Sequence, residues 1–136
     1  MYRIQGTADY HFGEYHEAIK AFGSYLKDNA EPAPRRDALY MLGMSYYRTG
    51  VYSQVPVTLG EVTANKDALT QNAYLHMGLA YLQLADKNKA RMAFEQAAAS
   101  DADLKIKEQA SYNNALCIHE TSYLLSASRL RYSRTS

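Results

Sequence analysis

Apolar residues recur along this chain at intervals of three and four, most clearly over residues 72–100, NAYLHMGLAYLQLADKNKARMAFEQAAAS. Tyr74, Met77, Gly78 and Tyr81 fall on one stripe of a helix, because those spacings keep side chains on one face. Ala90, Ala93, Phe94 and Ala97 make a second stripe. Residues 84–88, LADKN, form a short polar break in which Asp86 suits the N-cap of the second helix. Two antiparallel helices sharing one apolar seam follow.

The same pattern occurs elsewhere. Leu39, Leu42, Gly43 and Tyr46 repeat the spacing of Tyr74, Met77, Gly78 and Tyr81, and Val55 with Leu59 stand where Ala90 and Phe94 do. Gly43 and Gly78 are 35 residues apart; Gly6 lies 37 before Gly43, and Ala115 takes the glycine's place 37 after Gly78. Ala38, Ala73 and Ala110 align, as do Ala8, Ser45, Ala80 and Cys117, and small side chains recurring at one register favour close helix approach. The pattern resembles the tetratricopeptide repeat (TPR) family, whose signature is a large residue, Leu-Gly, Tyr, then Ala and Phe in a second helix. The resemblance covers nearly the whole chain and is strongest around Gly43 and Gly78. Asp9 departs from it where a Tyr is expected, Val55 and Leu59 replace Ala and Phe, Ser111 and Asn114 fall outside the pattern, and no proline closes a second helix.

The resemblance implies an all-α fold: a right-handed superhelical solenoid of antiparallel helix pairs with about three and a half repeats. They occupy 1–31, 32–66, 67–101 and 102–123 onward, with 124–136 a capping helix or a frayed tail. The expected helices cover 2–12, then one ending near 28, then 35–49, 52–65, 67–85, 86–100 and 102–121. Pro56 fits the fourth only near its start or at a kink. The chain opens inside the amphipathic pattern, without a basic-then-apolar secretion signal, and reads as a piece of a longer bacterial repeat array or as one with a short first helix.

In the family, the first helices line a concave groove that holds a partner peptide. The resemblance places in that groove Tyr40, Met44, Tyr47, Leu75, Leu79, Leu82, Tyr112, Leu116 and His119, with Arg3, Thr7 and Tyr10 from the first repeat. This trough is aromatic and aliphatic, so an apolar protein or peptide partner is expected. The family's carboxylate clamp is missing, since Arg3, Thr7 and Met41 stand where its members begin. The alternative is a structural segment that self-associates end to end into a homo-oligomer; an enzyme is the remote one.

Composition narrows this little. The chain has 136 residues, 13 Tyr, 3 Phe, no Trp and a formal charge of +1. That charge gives no general attraction to nucleic acid, and no apolar run reaches the ~20 residues of a membrane span. A soluble chain is expected, its compartment open apart from the leaning to a bacterial envelope. His11, His16, His76 and His119 occupy non-equivalent places without metal-ligand spacing, and Cys117 reads as a packed thiol. No metal, cofactor or catalytic group is expected.

Overall fold

The computed structural model describes the backbone of residues 2–135 and the side chains of Arg3 and residues 5–119. Within these residues there are seven α-helices, one 3₁₀ turn and no strand. The helices are α1 (Tyr2–His11), α2 (Tyr15–Asp28), α3 (Pro32–Arg48), α4 (Gln54–Leu59), α5 (Ala68–Gln83), α6 (Lys87–Ala98) and α7 (Leu104–Thr135). Each helix packs on the next, and α1, α3, α5 and α7 also touch in succession. This is an all-α helical repeat.

Two boundaries differ from expectation for backbone reasons. α3 starts at Pro32 rather than near residue 35, because prolines in a first turn remove only N–H groups that have no intrahelical acceptor. α4 starts after Ser53, which puts Pro56 in its first turn, but after six residues it tightens into the 3₁₀ turn Gly60–Val62. Val55, Val57, Thr58 and Gly60 have weak helix preference, so the full expected length of 52–65 is not reached. α7 extends past the expected residue 121. The side chains of 120–136 lie outside the described residues, and with them the expectation of a cap or tail at 124–136.

The turn inside each hairpin is built three times in one register. Gly13, Gly50 and Ala85, each seven residues after Gly6, Gly43 or Gly78, have φ of 78°, 79° and 59°. Their N–H groups donate to the carbonyls of Tyr10, Tyr47 and Leu82, and the following N–H groups to those of Asp9, Tyr46 and Tyr81. That crossed pair of bonds satisfies the last carbonyls of the first helix and reverses the chain.

Within each hairpin a large side chain of the second helix lies on the glycine of the first. Phe22 covers Gly6, Leu59 covers Gly43, and Phe94 covers Gly78, where a Cβ would sit 2.5 Å from a ring carbon. Around these contacts are three core clusters: Ala18, Phe22, Ala38 and Leu42; Leu39, Met44, Val55, Leu59 and Val62 with Ala73 and Ala80; and Leu75, Ala90, Phe94 and Ala97 with Ala110 and Cys117. Each cluster draws residues from the next repeat, so the core is continuous.

Polar side chains fix the step between repeats. Arg36, seven residues before Gly43, donates to the Val62 carbonyl (3.2 Å), Asp67 Oδ1 (2.8 Å) and Thr70 Oγ1 (2.9 Å). Gln71 has the same place before Gly78. Its Nε2 donates to the carbonyls of Ala97, Ser100 and Asp103, and its Oε1 accepts from the Asp103 N–H at 2.8 Å. Each ties the end of its own hairpin to an Asp at the start of the next first helix. The Arg36 hydrogen bond and the Thr70 N–H hold the Asp67 carboxyl down to about 2.

Candidate functional site

The first helices present their polar and aromatic residues on one side. Arg3, Thr7, Tyr10 and His11 of α1 face Asp37, Tyr40 and Met41 of α3 across a cavity of about 370 Å³. Toward α5 the wall is tied together. Asn72 Nδ2 donates to Tyr40 Oη, which leaves the Tyr40 hydroxyl proton as a donor. The Tyr47 ring meets His76 edge to face, with centroids 5.0 Å apart, and Tyr52 at 5.9 Å. His76 Nδ1 donates to the Asn72 carbonyl (2.9 Å), which fixes the Nδ1–H tautomer.

Partial burial tunes these groups. Burial raises the Tyr10 hydroxyl, helped by neighbouring Tyr40 and Tyr15 and opposed by Arg48. Tyr47 is raised by burial and by Tyr52, again against Arg48. Burial lowers His76; the Asn72 carbonyl opposes this, and Arg48 adds to it. The charged form of the imidazole is therefore disfavoured.

The nine expected groove residues divide into four sets. Tyr40 and Tyr47 are half-buried and bridge α3 to α5. Met44 and Leu75, each 4% exposed, belong to core clusters and present almost no surface, so the apolar trough is smaller than expected. Leu79 and Leu82 are half-buried against the cluster around Phe94. On α7, Tyr112 (65% exposed), Leu116 and His119 face outward without a described ring or hydrogen-bond contact to the Tyr40 and Tyr47 wall. Arg3, Thr7 and Tyr10 do line the cavity. Residues that the expected stripe missed are His11, Asp37 and Met41 in the cavity and Asn72 and His76 in the wall beside it. Asn72 and His76 were accessible as an i, i+4 pair one register earlier on α5.

A second cavity, of about 540 Å³, lies at the edge where the segment after the 3₁₀ turn meets the α6–α7 connection. Asp67 and Gln71 line it, but both are committed to the inter-repeat ties. Among the described residues no three His, Cys, Asp or Glu gather as a metal site, and no helix is long and apolar enough to cross a membrane. Cys117 is buried between α7 and the preceding hairpin.

No curated protein matches the chain. The family model for the tetratricopeptide repeat matches residues 72–103, which span α5, α6 and the connection to α7. The two hairpins before it repeat its left-handed turn and its covered glycine in register. Residues 72–103 are thus a match to the tetratricopeptide repeat, in a chain built as an all-α helical repeat.

Proposed function

We propose that this chain is a scaffold that holds a segment of a partner protein in the groove of α1, α3 and α5. Repeats of this type are protein-interaction modules, and an all-helical repeat of this kind is built as a non-catalytic scaffold. The observation that carries the reading is the preformed cavity between α1 and α3, walled by half-buried tyrosines that already have fixed partners. Tyrosines locked before binding lose little rotamer freedom when a partner arrives. The test is capture of partners from an extract of the source cells by the wild-type chain and by a Tyr40→Ala, Tyr47→Ala variant with unchanged helical circular dichroism. A protein held by the first and lost by the second supports the groove. Equal capture by both counts against it.

A second reading is self-association. Ala115, the counterpart of Gly43 and Gly78, is exposed, and Tyr112, Leu116 and Ile118 are exposed around it. Apolar helix surface of that kind can stack on another copy. A mass that rises with concentration in light scattering supports this reading; a monomer throughout rejects it.

A further inference from the structure

Each first helix after α1 packs on the hairpin before it, and the three junctions so formed are not equally apolar. At the first, Ile19 of α2 and Leu42 of α3 belong to one cluster with Ala18, Phe22 and Ala38. Ile19 stands thirteen residues after Gly6, and Leu42 one before Gly43. The same registers hold Pro56 and Met77 at the second junction, and Arg91 and Asn114 at the third. Arg91 Nε and Asn114 Oδ1 are shut off from solvent and have no hydrogen-bond partner. Arg36 also has an unpaired Nε, but its Nη2 serves three acceptors. A donor and an acceptor thus lie unsatisfied where α6 meets α7, at the places that two aliphatic side chains fill between α2 and α3. Burial takes water from such groups and returns no bond for it.

The apolar side of the third junction is also thin. Among the described residues of α7, Ala110 and Cys117 are buried in the shared cluster, and Ile106 packs against it partly buried. At the first junction α3 supplies Ala38 and Leu42, flanked by Met41 and Tyr46. The larger apolar side chains of α7, namely Leu104, Tyr112, Leu116 and Ile118, are exposed. Little apolar area of α7 is therefore lost to water when it leaves the hairpin, and two polar groups regain hydration. We propose that α7 is a releasable latch: it parts from α5 and α6 while the three hairpins stay folded, and so opens the seam that holds Ala97, Ala110 and Cys117.

Cys117 is the single cysteine of the chain and is buried, so it reports the opening. The test labels the native full chain with iodoacetamide, takes the urea-unfolded chain as the reference rate, and repeats the labelling at urea concentrations below the unfolding transition. A latch gives labelling about tenfold or more faster than global unfolding allows, at a rate almost independent of urea, because local opening exposes little surface. Arg91→Ile combined with Asn114→Leu restores the aliphatic pair of the first junction and should slow labelling about tenfold or more. Labelling of the wild type that keeps pace with global unfolding, with the same urea slope, overturns the proposal, and this series decides even where the double variant does not fold. A double variant with unchanged helical circular dichroism that labels as fast as the wild type overturns it too.

Discussion

At the scale of single residues, the three hairpin turns isolate one strained position. Gly13 and Gly50 adopt the left-handed backbone without penalty, whereas Ala85 holds the same conformation with a Cβ. The left-handed region costs an L-residue roughly 1–2 kcal/mol, and glycine returns part of that gain by being more disordered when unfolded. Ala85→Gly should therefore stabilise the chain by about 0.5–1 kcal/mol, read from the midpoint of urea unfolding. His76 gives the opposite kind of residue effect. Burial depresses its folded pKa, so the unfolded chain takes up the proton more readily, and its contribution to stability is present above the unfolded value and lost as pH falls through the folded one. Melting temperature should decline as pH is lowered from about 7.5 to about 5.5, and His76→Gln should flatten that decline. A wild-type curve identical to that of the variant would show that the imidazole titrates alike in both states.

At the scale of elements, the repeats are joined by polar ties as well as by apolar packing. Gln71 is 1% exposed and serves three carbonyls and one N–H across the α6–α7 connection. Gln71→Ala would leave several of these groups without their protein partner beside the larger cavity. The expected cost is about 1–3 kcal/mol, with faster hydrogen exchange at the Asp103 amide as its local sign. The pairing of helices was legible in the sequence because the covered glycines and their bulky partners sit at fixed offsets. The ties were not, since Arg36 and Gln71 share a register but not a chemistry, and only the fold shows that both reach the next repeat. Helix ends were legible where one glycine stops the chain, as at Gly50. They were less so at Pro32 and at the end of α4, where weak local preferences compete. The groove was legible in part. Periodicity identifies the first-helix face but cannot separate Tyr40, which stays at the surface, from Leu75 at the equivalent register, which the next helix buries.

At the scale of the molecule, contacts run between neighbouring helices and between successive first helices, so stability should be distributed along the array rather than held in one centre. Phe22 and Phe94 occupy equivalent places and are both 0% exposed, yet their neighbourhoods differ. Phe22 packs with Ala18, Ala38 and Leu42 near the start, whereas Phe94 joins α5 and α6 to Ala110 and Cys117 of α7. Replacing either by Ala removes a comparable volume and costs about 3–5 kcal/mol locally. If coupling passes only between neighbours, Phe22→Ala should lower native-state exchange protection in α1 and α2 while α5 and α6 keep theirs. Phe94→Ala should lower it in α5, α6 and the first turns of α7 together. Because α3 shares a core with both sides, its protection should fall only in part under either change. A uniform loss of protection for both variants would mean that the hairpins unfold as one unit, with the Arg36 and Gln71 ties strong enough to make the array cooperative from end to end.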